Sequence, residues 1–137
     1  MKRILPALLI PLFMLGACLQ VADQKEAADQ LVEKFHQAML NNDWQQASDY
    51  IHPEFFKQTA KESWISSMQS LVEKHGNIQG FKLQTMQKDP RFRGDFYIYI
   101  YSVKFADTSA SETITVYRSV EDNSMTIQGH MIKARQG

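Results

Sequence analysis

The chain has 137 residues, 44% of them hydrophobic and 22% charged, with 15 basic and 15 acidic side chains. That length leaves room for one domain, and the balance is that of a globular chain and not of a disordered one. Zero net charge excludes partners held by bulk charge, nucleic acid above all.

Met1-Lys2-Arg3 opens the chain, and an apolar run follows from Ile4 to Leu15, broken only by Pro6 and Pro11. A bilayer-spanning helix needs about 20 apolar residues. This run is shorter and reads as the apolar region of a secretory signal peptide. It ends in Leu15-Gly16-Ala17-Cys18, which resembles the lipobox of bacterial lipoproteins. The resemblance implies that Leu15, Gly16 and Ala17 are recognised by the signal peptidase and that Cys18 becomes the acylated N-terminus. It further implies a membrane anchor of several acyl chains, palmitate among them, which hold far more durably than one. Leu19 stands where aspartate retains lipoproteins in the inner membrane, so the implied place in a Gram-negative cell is the periplasmic face of the outer membrane. The expected organisation is a signal peptide over 1–17, a lipidated N-terminus and tether over 18–23, and a domain over 24–137. Loss of Lys2 and Arg3 leaves that mature chain at a net charge of −2. Cys18 is the only cysteine, so no disulfide can form within the chain.

From Asp23 to Asn41 apolar residues recur at helical spacing, with Ala28, Leu31, Val32, Phe35, Ala38 and Met39 on one stripe. Asn41-Asn42-Asp43 ends that helix, and Asp43 is placed to cap a second, in which Trp44, Ala47, Ser48 and Ile51 share a face. His52-Pro53 stops it. A third helix is predicted from Thr59, with Glu62 completing a capping box, Trp64, Met68, Leu71 and Val72 on its apolar side, and Gly76 just past its end.

After Gly76 the period changes to two. A strand is predicted over Phe81 to Met86, and Lys88 to Asp95, with Pro90 and Gly94, reads as a polar loop. Phe96 to Phe105 is the strongest strand pattern, with Tyr97, Tyr99, Tyr101, Val103 and Phe105 on one face and Phe96, Ile98 and Ile100 on the other. Glu112 to Val120 and Met125 to Ala134 follow, separated by a turn at Glu121 to Ser124. Three helices followed by four strands predict an α+β fold, with the helices packed on one face of a curved, four-stranded antiparallel sheet.

This order, with Trp44, Trp64, Gly94, the Glu112 strand and Gly129, resembles the nuclear transport factor 2-like superfamily, a cystatin-like α+β cone. More narrowly it resembles small bacterial envelope proteins of that fold whose domains have no assigned function. The likeness spans about Ala22 to Arg135. It implies a cone with a mouth, and a superfamily that includes isomerases, dehydratases and non-catalytic binding domains, so fold alone selects no activity.

His36, His52, His75 and His130 are scattered without ligand spacing, so no metal site and no cofactor is predicted. His36 reads as solvated at the edge of its stripe, whereas His130 lies on a strand that can point it inward. Tyr97, Tyr99 and Tyr101 form a stripe that suits either a sheet core or a pocket of phenol hydroxyls, and Glu112 can face inward beside Ile114 and Val116. Those five residues, Tyr97, Tyr99, Tyr101, Glu112 and His130, are the candidate pocket. Asp95 and Asp107 read as turn residues, and Lys88, Arg91 and Arg93 as a small solvated basic loop. No phosphate loop or nucleophile elbow occurs, and no catalytic residues are assigned. The expected role is a membrane-tethered, non-enzymatic domain that binds a small ligand or an envelope protein and that can pair as a homodimer through its sheet. The alternative is a small isomerase or hydratase that uses the cone.

Overall fold

The computed structural model describes residues 24–134. The signal segment 1–17, with Leu15, Gly16 and Ala17, and the segment 18–23, with Cys18, lie outside the described residues, as do 135–137.

Helix α1 (Lys25–Leu40) buries Ala28, Val32, Phe35, Ala38 and Met39, the stripe that its periodicity predicts. Asn42 ends it in the left-handed region at φ 55°. In α2 (Trp44–Asp49) the Asp43 carboxylate accepts the Gln46 N–H at 3.1 Å, which is the predicted cap. The segment after α2 then lies along β4: Ile51 bridges Ile127, and the His52 N–H donates to the Ile127 carbonyl at 2.7 Å.

Where the periodicity predicts three helices the described residues form four, because a single turn, α3 (Phe55–Gln58), precedes α4 (Lys61–His75). The capping box at Thr59 and Glu62 does not form. Thr59 closes α3, its N–H on the Phe55 carbonyl at 3.3 Å, and Ala60 opens α4 without a side-chain cap. Gly76 stands just past α4 at φ +85°, and a Cβ there would meet the Ala106 Cβ at 2.5 Å.

Strands β1 (Gly80–Arg91), β2 (Gly94–Lys104), β3 (Ser109–Ser119) and β4 (Met125–Ala134) form one antiparallel meander in chain order. The stretch 88–95 is not the predicted loop: Lys88 pairs with Tyr97, Pro90 with Asp95 and Arg91 with Gly94, leaving only Phe92-Arg93 as the turn. The reason is that β1 is an edge strand. Its polar side chains stay wet, and a proline there need not cost the sheet a donor. Gly94 is required by close approach, since a Cβ would lie 2.1 Å from the Arg118 carbonyl.

Alternation then decides the faces. Tyr97, Tyr99, Val103 and Phe105 are buried, as are Glu112, Ile114, Val116 and Arg118 on β3, while Ile98 and Ile100 look outward. Val32, Phe35, Met39, Trp44, Trp64 and Met68 from the helices pack with Tyr97, Tyr99, Ile114, Val116 and Ile127 of the sheet in one core. The result is an α+β fold whose helices, all before the sheet, cover one of its faces. No described helix is long and apolar enough to cross a membrane.

Candidate functional site

Glu112 occupies an inward position of β3 and is fully buried. Its Oε1 lies 2.6 Å from Nε2 of His36 on α1, and its Oε2 lies 2.9 Å from Nε2 of His130 on β4. The Trp64 indole donates to the other ring nitrogen of His130, Nδ1, at 3.1 Å. An indole N–H can only donate, so Nδ1 carries a lone pair and the His130 proton sits on Nε2. His130 is therefore a neutral imidazole that donates to the carboxylate. Burial pushes the Glu112 carboxyl up, but the hydrogen bonds that it accepts from His130 and His36 outweigh it and hold the group below the ordinary carboxylate range.

Aromatic rings close this bridge on several sides. Phe81 stacks on His36 with centroids 3.6 Å apart and planes 6° from parallel, and Tyr101 meets the same imidazole edge-on at 4.6 Å. Phe35 and Trp64 pack edge-on against His130 at 5.0 and 5.6 Å. The side chains of Glu112 and His130 have no exposed surface. Acid–base work needs a substrate atom within hydrogen-bond reach of the group, and here both carboxylate oxygens already face imidazoles.

Of the tyrosine stripe, Tyr101 sits beside Glu112 as its partner in the β2–β3 register, whereas Tyr99 turns to Asp29. The Tyr99 hydroxyl donates to Asp29 Oδ1 at 2.6 Å, and Lys25 holds the other oxygen of that carboxylate at 2.6 Å. Burial, then the Asp29 hydrogen bond, pushes the Tyr99 phenol far up; burial, then the charges of Glu112 and Asp29, pushes Tyr101 up to about 12. Tyr97 is wholly buried, and Tyr101 is half-buried.

Of the predicted pocket residues, Glu112 and His130 do come together, inward and in contact. His36 corrects its reading as a solvated residue: it is 7% exposed, drawn in by the carboxylate and by Phe81. Trp64, read as core alone, also fixes the His130 tautomer. Neither pairing has a local signal, since His36 and Glu112 are 76 positions apart and Trp64 and His130 are 66 apart. Asp95 corrects its reading as a turn residue, because it lies on β2, buried, with the Arg118 guanidinium at 2.8 Å. Arg118 also donates to the Asn123 side chain at 2.8 Å, so one cation joins β2, β3 and the last turn. Asp107 does lie in its predicted turn, beside His75 at 3.1 Å. Among the described residues no three His, Cys, Asp or Glu side chains converge to hold a metal ion.

An open cleft of about 420 Å³ lies away from this bridge, between α1 and α2. Gln30, Glu33, Gln37, Asn41, Gln46 and Tyr50 are among its walls. Four amide side chains share it with Glu33 and Lys34, which gives many donors and acceptors and one charge of each sign.

No protein-family model matches the sequence, and no curated protein matches it. A solved structure does: that of Bdellovibrio bacteriovorus Bd1075, with a TM-score of 0.57 and 18% identity, covering 83% of this chain and 42% of that one. The two share an α+β fold. At that identity the likeness concerns the fold alone, and the chain spans less than half the length of its neighbour.

Proposed function

We propose that this chain is a lipid-anchored envelope protein whose domain binds a ligand or partner and does not catalyse. The anchor is the acylated Cys18, the domain is a nuclear transport factor 2-like cone, and the place is the periplasmic face of the outer membrane of a Gram-negative cell. One observation carries the non-catalytic reading: the Glu112 carboxylate, the best acid–base candidate in the fold, is spent on His36 and His130 inside a closed aromatic shell. Its role is to tie α1, β3 and β4 together. Binding then falls to the outside, and the cleft between α1 and α2, with its four amides beside Glu33 and Lys34, suits a polar, hydrogen-bonding ligand. The isomerase or hydratase alternative needs a substrate atom at Glu112, whose two oxygens face His36 and His130, with Phe81 and Trp64 packed on those imidazoles.

Photo-cross-linking in intact cells tests this. With a photoreactive side chain at Gln37 in the cleft, a discrete adduct with one envelope component is expected, absent when the probe is moved to Thr113 on the outer sheet face. Equal, diffuse labelling from both positions refutes cleft binding. Detergent phase partition of the same cells, with Cys18→Ser as the comparison, tests the anchor separately.

A further inference from the structure

We infer that the tip of the β1–β2 hairpin, with Phe92 at its apex, docks on the surface of the membrane that holds the lipid anchor; this rests on the proposed acylation of Cys18. Phe92 is 98% exposed and Val120, in the neighbouring turn after β3, is 56% exposed, the two most exposed large apolar side chains of the described domain. The two turns are tied into one end of the molecule. The Arg93 carbonyl accepts both the Val120 N–H at 3.0 Å and the Tyr117 hydroxyl at 2.9 Å, and the Arg118 bridge to Asp95 and Asn123 lies just behind. Phe92 is thus displayed on a fixed turn. An aromatic ring left almost wholly in water by the described domain fits a place that is apolar inside and wet outside.

Helix direction supplies the orientation. Near its end α1 approaches the Gly80 end of the sheet, where the Asn42 amide donates to Asn77 at 3.3 Å and His36 stacks on Phe81. One helical stretch earlier, Asp29 meets Tyr99, which lies nearer the hairpin tip along β2. The first turn of α1 therefore points towards the same end as Phe92, and the chain that leads back to Cys18 departs from there. With roughly 1.5 Å of rise per helical residue and 3.3 Å per strand residue, the tip projects on the order of 15 Å beyond the start of α1. The six residue steps from Cys18 to Gln24 reach about 20 Å when extended, enough for the tip to meet the surface that carries the acyl chains.

Charge at this end is balanced. Lys88, Arg91 and Arg93 stand against Asp89, Glu121 and Asp122, and Arg91 is already paired with Asp89 at 2.7 Å. Attachment is accordingly driven by apolar contact and is insensitive to the share of anionic lipid.

The experiment uses the mature chain from Cys18 onward, coupled through its thiol to a maleimide phospholipid in vesicles of phosphatidylethanolamine and phosphatidylglycerol, some of it brominated. Two variants are compared: Phe92→Trp, and Lys104→Trp at the far end of β2, about 33 Å away along the strand. Trp44 and Trp64 are buried and form a constant background. Phe92→Trp is expected to shift to shorter wavelength and lose emission to the bromines, equally at low and high phosphatidylglycerol, while Lys104→Trp does neither. No quenching of either variant, equal quenching of both, or quenching of Lys104→Trp alone overturns the proposal. A cross-link from position 92 to a protein in place of lipid overturns it likewise. Because the tether is imposed chemically, these outcomes do not depend on acylation in the cell. The mass of the N-terminal peptide from the native host tests that reading by itself.

Discussion

Trp64 and His130 meet through a single hydrogen bond, indole Nε1 to imidazole Nδ1 at 3.1 Å, and that bond sets the direction of every proton behind it. It leaves His130 only its Nε2–H to offer Glu112. Trp64→Phe keeps most of the packing but removes the donor. A loss of about 2–3 kcal/mol in unfolding free energy is expected from the unpaired nitrogen and the smaller ring. Nitrogen NMR of the His130 ring should show one tautomer in the parent and a mixture in the variant. An unchanged tautomer in a fully stable variant contradicts the assignment.

Glu112→Gln probes the same bridge from its centre. Glutamine offers one acceptor where carboxylate offers two, and its amide then faces an imidazole N–H. His130 cannot reverse because Trp64 holds it, so the mismatch falls on His36. A cost of about 2–4 kcal/mol at neutral pH is expected. The Glu112 pKa is depressed by folding from its ordinary 4.5, so its contribution is complete above that pH and lost as pH falls through the lower, folded value. Denaturation followed across acid pH should show parent and variant converging below pH 4.5; a gap that stays constant refutes the linkage.

At alkaline pH the sign reverses. Folding raises Tyr101 from 10.0 to about 12, so its contribution is full below 10.0 and disappears as pH rises through about 12. Tyr101→Phe is therefore expected to flatten the alkaline decline in stability. It should also remove the phenol that ionises near 12 in an ultraviolet titration. A Tyr101 that ionises near 10 is the contrary result.

The Asp95–Arg118 pair is buried on both sides, at 12% and 8% side-chain exposure. Removing one partner leaves the other charge stranded, and Asp95→Ala is expected to cost about 3–5 kcal/mol. Replacing both by apolar residues of similar volume should recover much of that loss. A double variant as unstable as the single one shows that the pair does more than satisfy itself.

Phe92→Ser should leave thermal stability unchanged, within about 0.5 kcal/mol, because the ring touches so little of its own fold. A clear drop in melting temperature indicates that the tip is part of the core.

Periodicity alone is enough to find α1, the cap of α2, the Gly76 stop and the inward sides of β2 and β3, because burial on one face imposes a period of 3.6 or 2 on the residues themselves. The same alternation puts Glu112 inward beside Ile114 and Val116 and brings His130 in from β4. It stops at distance. His36 looks solvated until the sheet brings Glu112 and Phe81 against it, and Thr59 and Glu62 satisfy a capping pattern that the extra turn at Phe55–Gln58 pre-empts. Pro90 and Gly94 look like loop residues until β1 proves to be an edge. Partners dozens of positions apart leave no spacing to read, so the Trp64–His130–Glu112–His36 chain and the Asp95–Arg118 pair exist only once tertiary packing has excluded water and each buried polar group has taken the nearest partner available.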